Sequence, residues 1–167
     1  FASGCALLIS VTSSGQIDPV RPPPYFILIE RALRDEGTSY HYLPPSDWSE
    51  APPALAGRLT GAFDDIGAAV LRGATWTTDA PFRETGEAIA AMRARGILAV
   101  EMEAAALYAF ATARRRSVLC FAHVTNQMGR SEGDFEKGEA HGTSDALRLV
   151  ARAARILAGP EAGQPSA

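Results

Sequence analysis

The sequence predicts a single α/β domain in which a twisted, mixed or parallel sheet is flanked by helices. Two apolar runs, residues 97–100 and 117–124, have the length and composition of buried strands. The first run leads almost directly into an alanine-rich helical pattern over residues 104–114. This alternation of strand and helix is typical of doubly wound α/β sheets.

The first half of the chain repeats the pattern with shorter elements. We expect strands at residues 6–11, 25–29 and 68–71 and an amphipathic helix at residues 54–63. The four prolines between residues 19 and 24 predict an extended connection.

The second half adds two more helices. We expect them at residues 87–95 and 145–157, the latter with Leu147, Val150, Ala154 and Leu157 on one stripe. Gly159-Pro160 ends that helix, so the predicted domain covers residues 1–158 and residues 159–167 form a disordered tail.

Composition excludes several classes of protein. With 167 residues, 47% of them hydrophobic, the chain can form a real core, and a net charge of −3 provides no basic surface for nucleic acid or anionic membranes. No apolar run is long enough to span a bilayer, and the three histidines lack metal-site spacing. The isolated Cys5 and Cys120 favour a reducing, cytoplasmic location without disulfides.

The amino terminus does not have the features of an intact signal peptide. The chain begins at Phe1, without a methionine and without a positively charged leading region. We therefore expect it to start part-way through a domain.

Two carboxylates lie between the central strand and its helix, in Glu101-Met102-Glu103. If the backbone is extended there, Glu101 and Glu103 point the same way and could face one ligand. If the helix has begun, they lie in its first turn, where the helix dipole stabilises negative charge. The alternative is two solvated glutamates at a helix start, and the spacing alone does not distinguish these possibilities.

Polar residues also follow the other predicted strands. Ser13, Thr78, Glu103 and Asn126 are each expected just past a strand end, where open α/β sheets bind ligands. In the Thr12-Ser13-Ser14-Gly15 turn, Ser13, Ser14 and Gly15 could offer hydroxyls and backbone N–H groups to an anion such as phosphate.

These residues resemble the nucleoside phosphorylase family, in particular its uridine phosphorylase and hexameric-type purine nucleoside phosphorylase group. The resemblance covers residues 11–157 and is most specific in Val100-Glu101-Met102-Glu103-Ala104-Ala105-Ala106-Leu107. Further support comes from Arg34-Asp35-Glu36-Gly37-Thr38-Ser39, Thr77-Thr78-Asp79-Ala80-Pro81-Phe82 and Val124-Thr125-Asn126. The resemblance implies a three-layer phosphorylase-like fold, homo-oligomeric assembly, and phosphate as co-substrate with no other cofactor.

The implied reaction is attack of phosphate on C1′ of a nucleoside, which releases the base and forms ribose 1-phosphate. Glu103 would be the principal and catalytic ribose contact, Met102 would pack on the sugar, and Glu101 would assist or orient. An ionised acceptor binds hydroxyl donors more strongly than a neutral one.

The implied base contacts are Phe82, Arg83 and Asn126. Asn126 stands where purine-cleaving relatives carry a proton-donating aspartate, and it is the second implied catalytic residue. An amide cannot act as a general acid, but it can hydrogen-bond an oxo group and the adjacent N–H. This favours uridine or a 6-oxopurine nucleoside as substrate.

Two departures from the family pattern leave alternatives open. The family's opening portion, roughly a third of its domain, is not represented, and Ser10 stands where relatives have an arginine that contacts phosphate. The alternatives are a nucleosidase that uses water in place of phosphate and a nucleoside-binding domain without catalysis.

Overall fold

The computed structural model describes residues 1–128 and 142–159. Its strands are β1 (Leu7–Gln16), β2 (Tyr25–Asp35), β3 (Trp48–Glu50), β4 (Val70–Thr78), β5 (Ile97–Glu101) and β6 (Ser117–Gln127). Its helices are α1 (Pro53–Arg58), α2 (Gly86–Ala94), α3 (Ala104–Arg114) and α4 (Thr143–Ala158). Short 3-10 segments cover Thr38–His41 and Pro81–Arg83. None of these helices has the length and apolar character needed to cross a membrane.

The strands form one mixed sheet in the order β3-β2-β4-β5-β1-β6. Neighbouring strands are parallel in the pairs β1–β6, β2–β4 and β4–β5, and antiparallel in β1–β5 and β2–β3. The prediction of a mixed α/β sheet flanked by helices is confirmed.

The sheet is not open, however, and this corrects the doubly wound arrangement. β2 also pairs with β6 in antiparallel orientation, from Tyr25 opposite Val124 to Leu28 opposite Phe121. Every strand except β3 therefore belongs to a closed ring. Among the described residues the ring leaves no long unpaired edge, because only the three-residue β3 ends the sheet.

Helices cover both sides of β6. The hydroxyl of Tyr108 in α3 donates to the Ile29 carbonyl at 2.6 Å and accepts from the Cys120 N–H at 3.0 Å. The next residue, Phe121, points to the opposite face, where it meets Phe63 edge-on at 5.7 Å. Buried residues spaced four apart on α4, Leu149, Ala153 and Leu157, join the same core. β6 is therefore covered on both faces, and it pairs with β1 and carries Asn126, both of which belong to the site described below.

Four strands, β1, β2, β4 and β6, extend three residues or more beyond their predicted ends, because polar residues there continue the backbone ladders. β1 runs through Ser13 to Gln16 with β6 beside it, so residues 12–15 do not form the expected turn. Thr78 is the last residue of β4, and Asn126 lies inside β6. Of the four polar residues expected past strand ends, only Glu103 lies there.

The remaining element predictions differ from the structure mainly in length. α2, α3 and α4 match within two residues, whereas α1 ends at Arg58 instead of continuing to residue 63. β3 was not anticipated, since three residues carry little periodicity. The expected tail lies outside the described residues except for Gly159.

Candidate functional site

Glu101 ends β5 with its carboxylate turned into the protein, where only 2% of the residue is exposed. One oxygen accepts from the hydroxyls of Thr75 at 3.1 Å and Thr77 at 2.5 Å. The other accepts from the backbone N–H groups of Glu103 at 2.8 Å and Ala104 at 2.7 Å. The carboxylate is therefore fully engaged within the chain.

These bonds make Glu101 the cap of α3. The first N–H groups of a helix have no acceptor within the helix itself. The Glu101 carboxylate accepts from those of Glu103 and Ala104, and the Thr77 hydroxyl accepts from the next, that of Ala105, at 3.0 Å. Burial raises the pKa of Glu101, and the hydrogen bonds from Thr77 and the backbone partly oppose that rise. Glu101 thus orients the start of α3, and its assigned contact with ribose stays a prediction.

Glu103 lies two residues further on and points to solvent. It is the residue before α3, with φ −129° and ψ −33°, and its own carbonyl accepts from the Leu107 N–H at 3.0 Å. Its Oε2 accepts from the Thr12 hydroxyl at 2.5 Å and the Met102 N–H at 3.3 Å. Within residues 1–128 and 142–159, Oε1 makes no hydrogen bond, so it can accept one from a ligand.

The two carboxylates therefore do not face one ligand, because the chain turns between them. Glu101 is still in the strand and is buried, whereas Glu103 is exposed at the helix start and Met102 beside it is 48% exposed. None of the three arrangements considered for this motif describes both residues: Glu101 caps the helix from the buried end of the strand, and Glu103 is a solvent-exposed glutamate at the helix start.

The residues predicted to bind phosphate lie on β1, next to Glu103. Ser13 is exposed, and its hydroxyl lies 3.3 Å from that of Thr125. Ser14 is only 5% exposed, and its hydroxyl has no hydrogen-bond partner in the described part of the chain. Because residues two apart on a strand share a face, Ser14 lies on the side of Thr12, which contacts Glu103. Buried hydroxyls normally have a partner, so Ser14 has an unmet hydrogen bond, and its assignment to phosphate stays a prediction.

Gly15 lies where β1 changes neighbours, opposite both Val100 of β5 and Asn126 of β6. A Cβ atom there would lie 2.2 Å from the Met128 sulfur, so Met128 packs over β1 in its observed position because residue 15 is glycine. The side-chain amide of Asn126 is half-buried and lies 3.9 Å from the same sulfur. Met128 thus connects the predicted phosphate segment with the predicted base contact.

Phe82 and Arg83 lie on the 3-10 segment after β4, and both are exposed, Phe82 completely so. The structure does not bring them into contact with Glu103 or Asn126 among the described residues. A completely exposed phenylalanine is unusual, and this segment is available to cover a ligand or a partner.

The Arg34–Ser39 motif is used internally. Arg34 is buried and donates to the Ser39 hydroxyl at 2.8 Å, while the Glu36 carboxylate accepts from the Ser39 N–H. The Gly37 N–H donates to Asp79 at 3.1 Å, which ties this loop to the end of β4. The Arg34 guanidinium also donates to the Ser46 hydroxyl and to the carbonyls of Leu43 and Pro44, so its N–H groups are used within this loop.

Sequence reasoning missed Thr12, Thr75 and Thr77 as parts of this site. The Thr12 hydroxyl donates to Glu103, and the hydroxyls of Thr75 and Thr77 donate to Glu101. The spacing of Thr75 and Thr77 at i and i+2 was the available signal, but it indicates a shared face only if the segment is a strand, and the predicted strand ends at residue 71.

A model of the phosphorylase superfamily matches residues 2–158. No curated protein matches the chain.

Proposed function

The chain belongs to the phosphorylase superfamily, and we propose that it cleaves the N-glycosidic bond of a nucleoside with phosphate, giving free base and ribose 1-phosphate. The family supports nucleoside phosphorylase-type, pentosyl-transferring activity in general. The observation that carries the proposal is Glu103, an exposed carboxylate with one open oxygen, held between the start of α3 and the hydroxyl-rich strand β1.

Glu103 would accept a hydrogen bond from a ribose hydroxyl through Oε1, with Met102 packed on the sugar. Charge-assisted hydrogen bonds of this kind are stronger than neutral ones and fix orientation. Glu101 would act indirectly, because its four internal hydrogen bonds fix the turn that projects Glu103.

Phosphate would lie against β1. Ser14 has a buried hydroxyl without a partner, and a phosphate oxygen would satisfy it as an acceptor. Ser14 shares its face of β1 with Thr12, which touches Glu103, whereas Ser13 is exposed on the opposite face of the same strand. A phosphate oxygen would then form its bond to C1′ as the C1′–N bond breaks and the electron pair leaves with the base.

The departing base would be stabilised by Asn126, whose amide can donate to an exocyclic oxygen and accept from a neighbouring N–H. Phe82 and Arg83 would cover the base from the exposed segment after β4. This chemistry fits uridine or a 6-oxopurine nucleoside, such as inosine. We further propose a cytoplasmic homo-oligomer, consistent with the free cysteines and the exposed Phe82.

A second candidate is a nucleosidase. It is favoured by Ser10, which stands where relatives have an arginine and which lies on β1 opposite Cys120 of β6. Without that arginine, water could replace phosphate as the nucleophile.

Release of base from uridine and inosine by the purified chain, measured by chromatography with and without phosphate, separates the candidates. We expect release that requires phosphate and forms ribose 1-phosphate in equal amount. Release without phosphate would support the nucleosidase, and binding without release would support a non-catalytic domain. Absence of both binding and release would refute the proposal.

A further inference from the structure

We propose that Thr12 is a positioning residue that holds Glu103 in its ribose-binding orientation. This inference rests on the proposed function and adds a residue to its site. The Thr12 hydroxyl donates to Glu103 Oε2 at 2.5 Å, and the two residues are 91 positions apart in the chain. The bond therefore joins strand β1 to the start of α3.

The two ends of this hydrogen bond differ in rigidity. Thr12 lies inside β1, where its backbone is in register with Ala122 of β6, and its β-branched side chain has few rotamers. Glu103 is exposed, and a long side chain at such a position otherwise samples many rotamers. The rigid hydroxyl therefore fixes the mobile carboxylate.

The hydrogen bond also determines which oxygen remains for the ligand. Oε2 already accepts from Thr12 and from the Met102 N–H, which uses both of its lone pairs. Oε1 has no such partner among the described residues and is left for the sugar. Thr12 thus orders Glu103 before the nucleoside binds, which lowers the entropy lost on binding.

Thr12 also connects the two halves of the site. Ser14 is two residues further along β1 and shares its face, so one strand positions both the proposed phosphate contact and the ribose carboxylate. The distance between the sugar and the attacking phosphate would then be set by a single strand, as an in-line attack at C1′ requires.

The alternative is that the Thr12 hydroxyl occupies the place of a ribose hydroxyl and must be displaced. The two possibilities predict opposite signs. If Thr12 positions Glu103, its removal weakens nucleoside binding, whereas if it competes with the sugar, its removal strengthens binding.

The test compares Thr12→Val, which keeps the shape and loses the hydroxyl, with Thr12→Ser, which keeps the hydroxyl. Nucleoside affinity is measured by calorimetry, and kcat and KM by release of base at saturating phosphate. We expect Thr12→Val to weaken nucleoside binding roughly tenfold and Thr12→Ser to stay within about threefold of the parent. Thr112→Val, at an exposed position on α3, is the matched control and should behave as the parent.

A double-mutant cycle separates positioning from a general structural effect. In a Glu103→Gln background, Thr12→Val should weaken binding much less than it does in the parent, because the charged acceptor is already lost. Binding by Thr12→Val that equals or exceeds that of the parent, or an undiminished effect in the Glu103→Gln background, would overturn the inference while leaving the proposed function intact. A parent chain that neither binds nor cleaves nucleosides would overturn both.

Discussion

Replacing Glu101 with alanine should destabilise the protein far more than replacing Glu103. Glu101→Ala removes four hydrogen bonds and leaves the N–H of Ala104, a completely buried residue, without its partner. A buried unsatisfied group costs about 1–3 kcal/mol and a lost helix cap about 1 kcal/mol. The alanine variant no longer has the free-energy cost of burying a carboxylate, which offsets part of this loss of stability. The net loss should be about 3 kcal/mol, which lowers the melting temperature by about 6–12 °C for a chain of this size.

Glu101→Gln should be milder and should change the pH dependence. A glutamine can still accept from the N–H groups of Glu103 and Ala104, and its amide can donate to Thr75 and Thr77. In the parent, burial raises the pKa of Glu101, so between the unfolded and folded pKa values the folded chain binds more protons. The free energy of unfolding therefore falls as pH rises through that window, and this decrease should be smaller in Glu101→Gln.

Urea denaturation followed by circular dichroism at several pH values measures both effects. Glu103→Ala is the matched control, since Glu103 is an exposed carboxylate two residues away, and it should change the unfolding free energy by less than about 1 kcal/mol. Equal destabilisation by the two alanine variants would refute the assignment of Glu101 as the cap of α3.

Three further predictions follow from other parts of the structure. Ser14→Ala should raise the KM for phosphate several-fold without lowering the melting temperature, because it removes a buried hydroxyl that has no partner; unchanged phosphate kinetics would contradict the anion assignment. Tyr108→Phe should lower the free energy of unfolding by about 1–3 kcal/mol in denaturant titrations, because the Tyr108 hydroxyl bridges Ile29 and Cys120. A variant as stable as the parent would show that this bridge contributes nothing to stability. Sedimentation at micromolar concentration should show an oligomer that Phe82→Ser weakens, whereas a monomeric parent would exclude assembly through that exposed ring.

Much of the fold was predictable because the strongest signals are local. The apolar runs before and after α3 and the alanine-rich pattern of α3 itself place β5, α3 and β6 within a few residues of their observed bounds. The pairing of β2 with β6 that closes the ring was not predictable, because it joins segments about a hundred residues apart and no sequence pattern in either segment indicates its partner.

The site was predicted less completely than the fold, and for a physical reason. The predicted strands end before Thr12, Thr75 and Thr77, yet these residues lie in strands whose neighbours satisfy the backbone. Once they are in strands, their alternation directs hydroxyls at Glu101 and Glu103. The different surroundings of the two glutamates depend on the turn at Met102, which the spacing alone left open.

The most direct test of the account is nucleoside binding by Glu103→Gln. This substitution keeps the shape of the side chain and removes its charge, so it tests the charge-assisted hydrogen bond to ribose, worth about 1.5–3 kcal/mol. We predict that affinity or turnover for uridine or inosine falls at least about tenfold while the melting temperature changes little. A Glu103→Gln protein that binds and turns over nucleosides like the parent would contradict the assignment of Glu103 as the ribose contact.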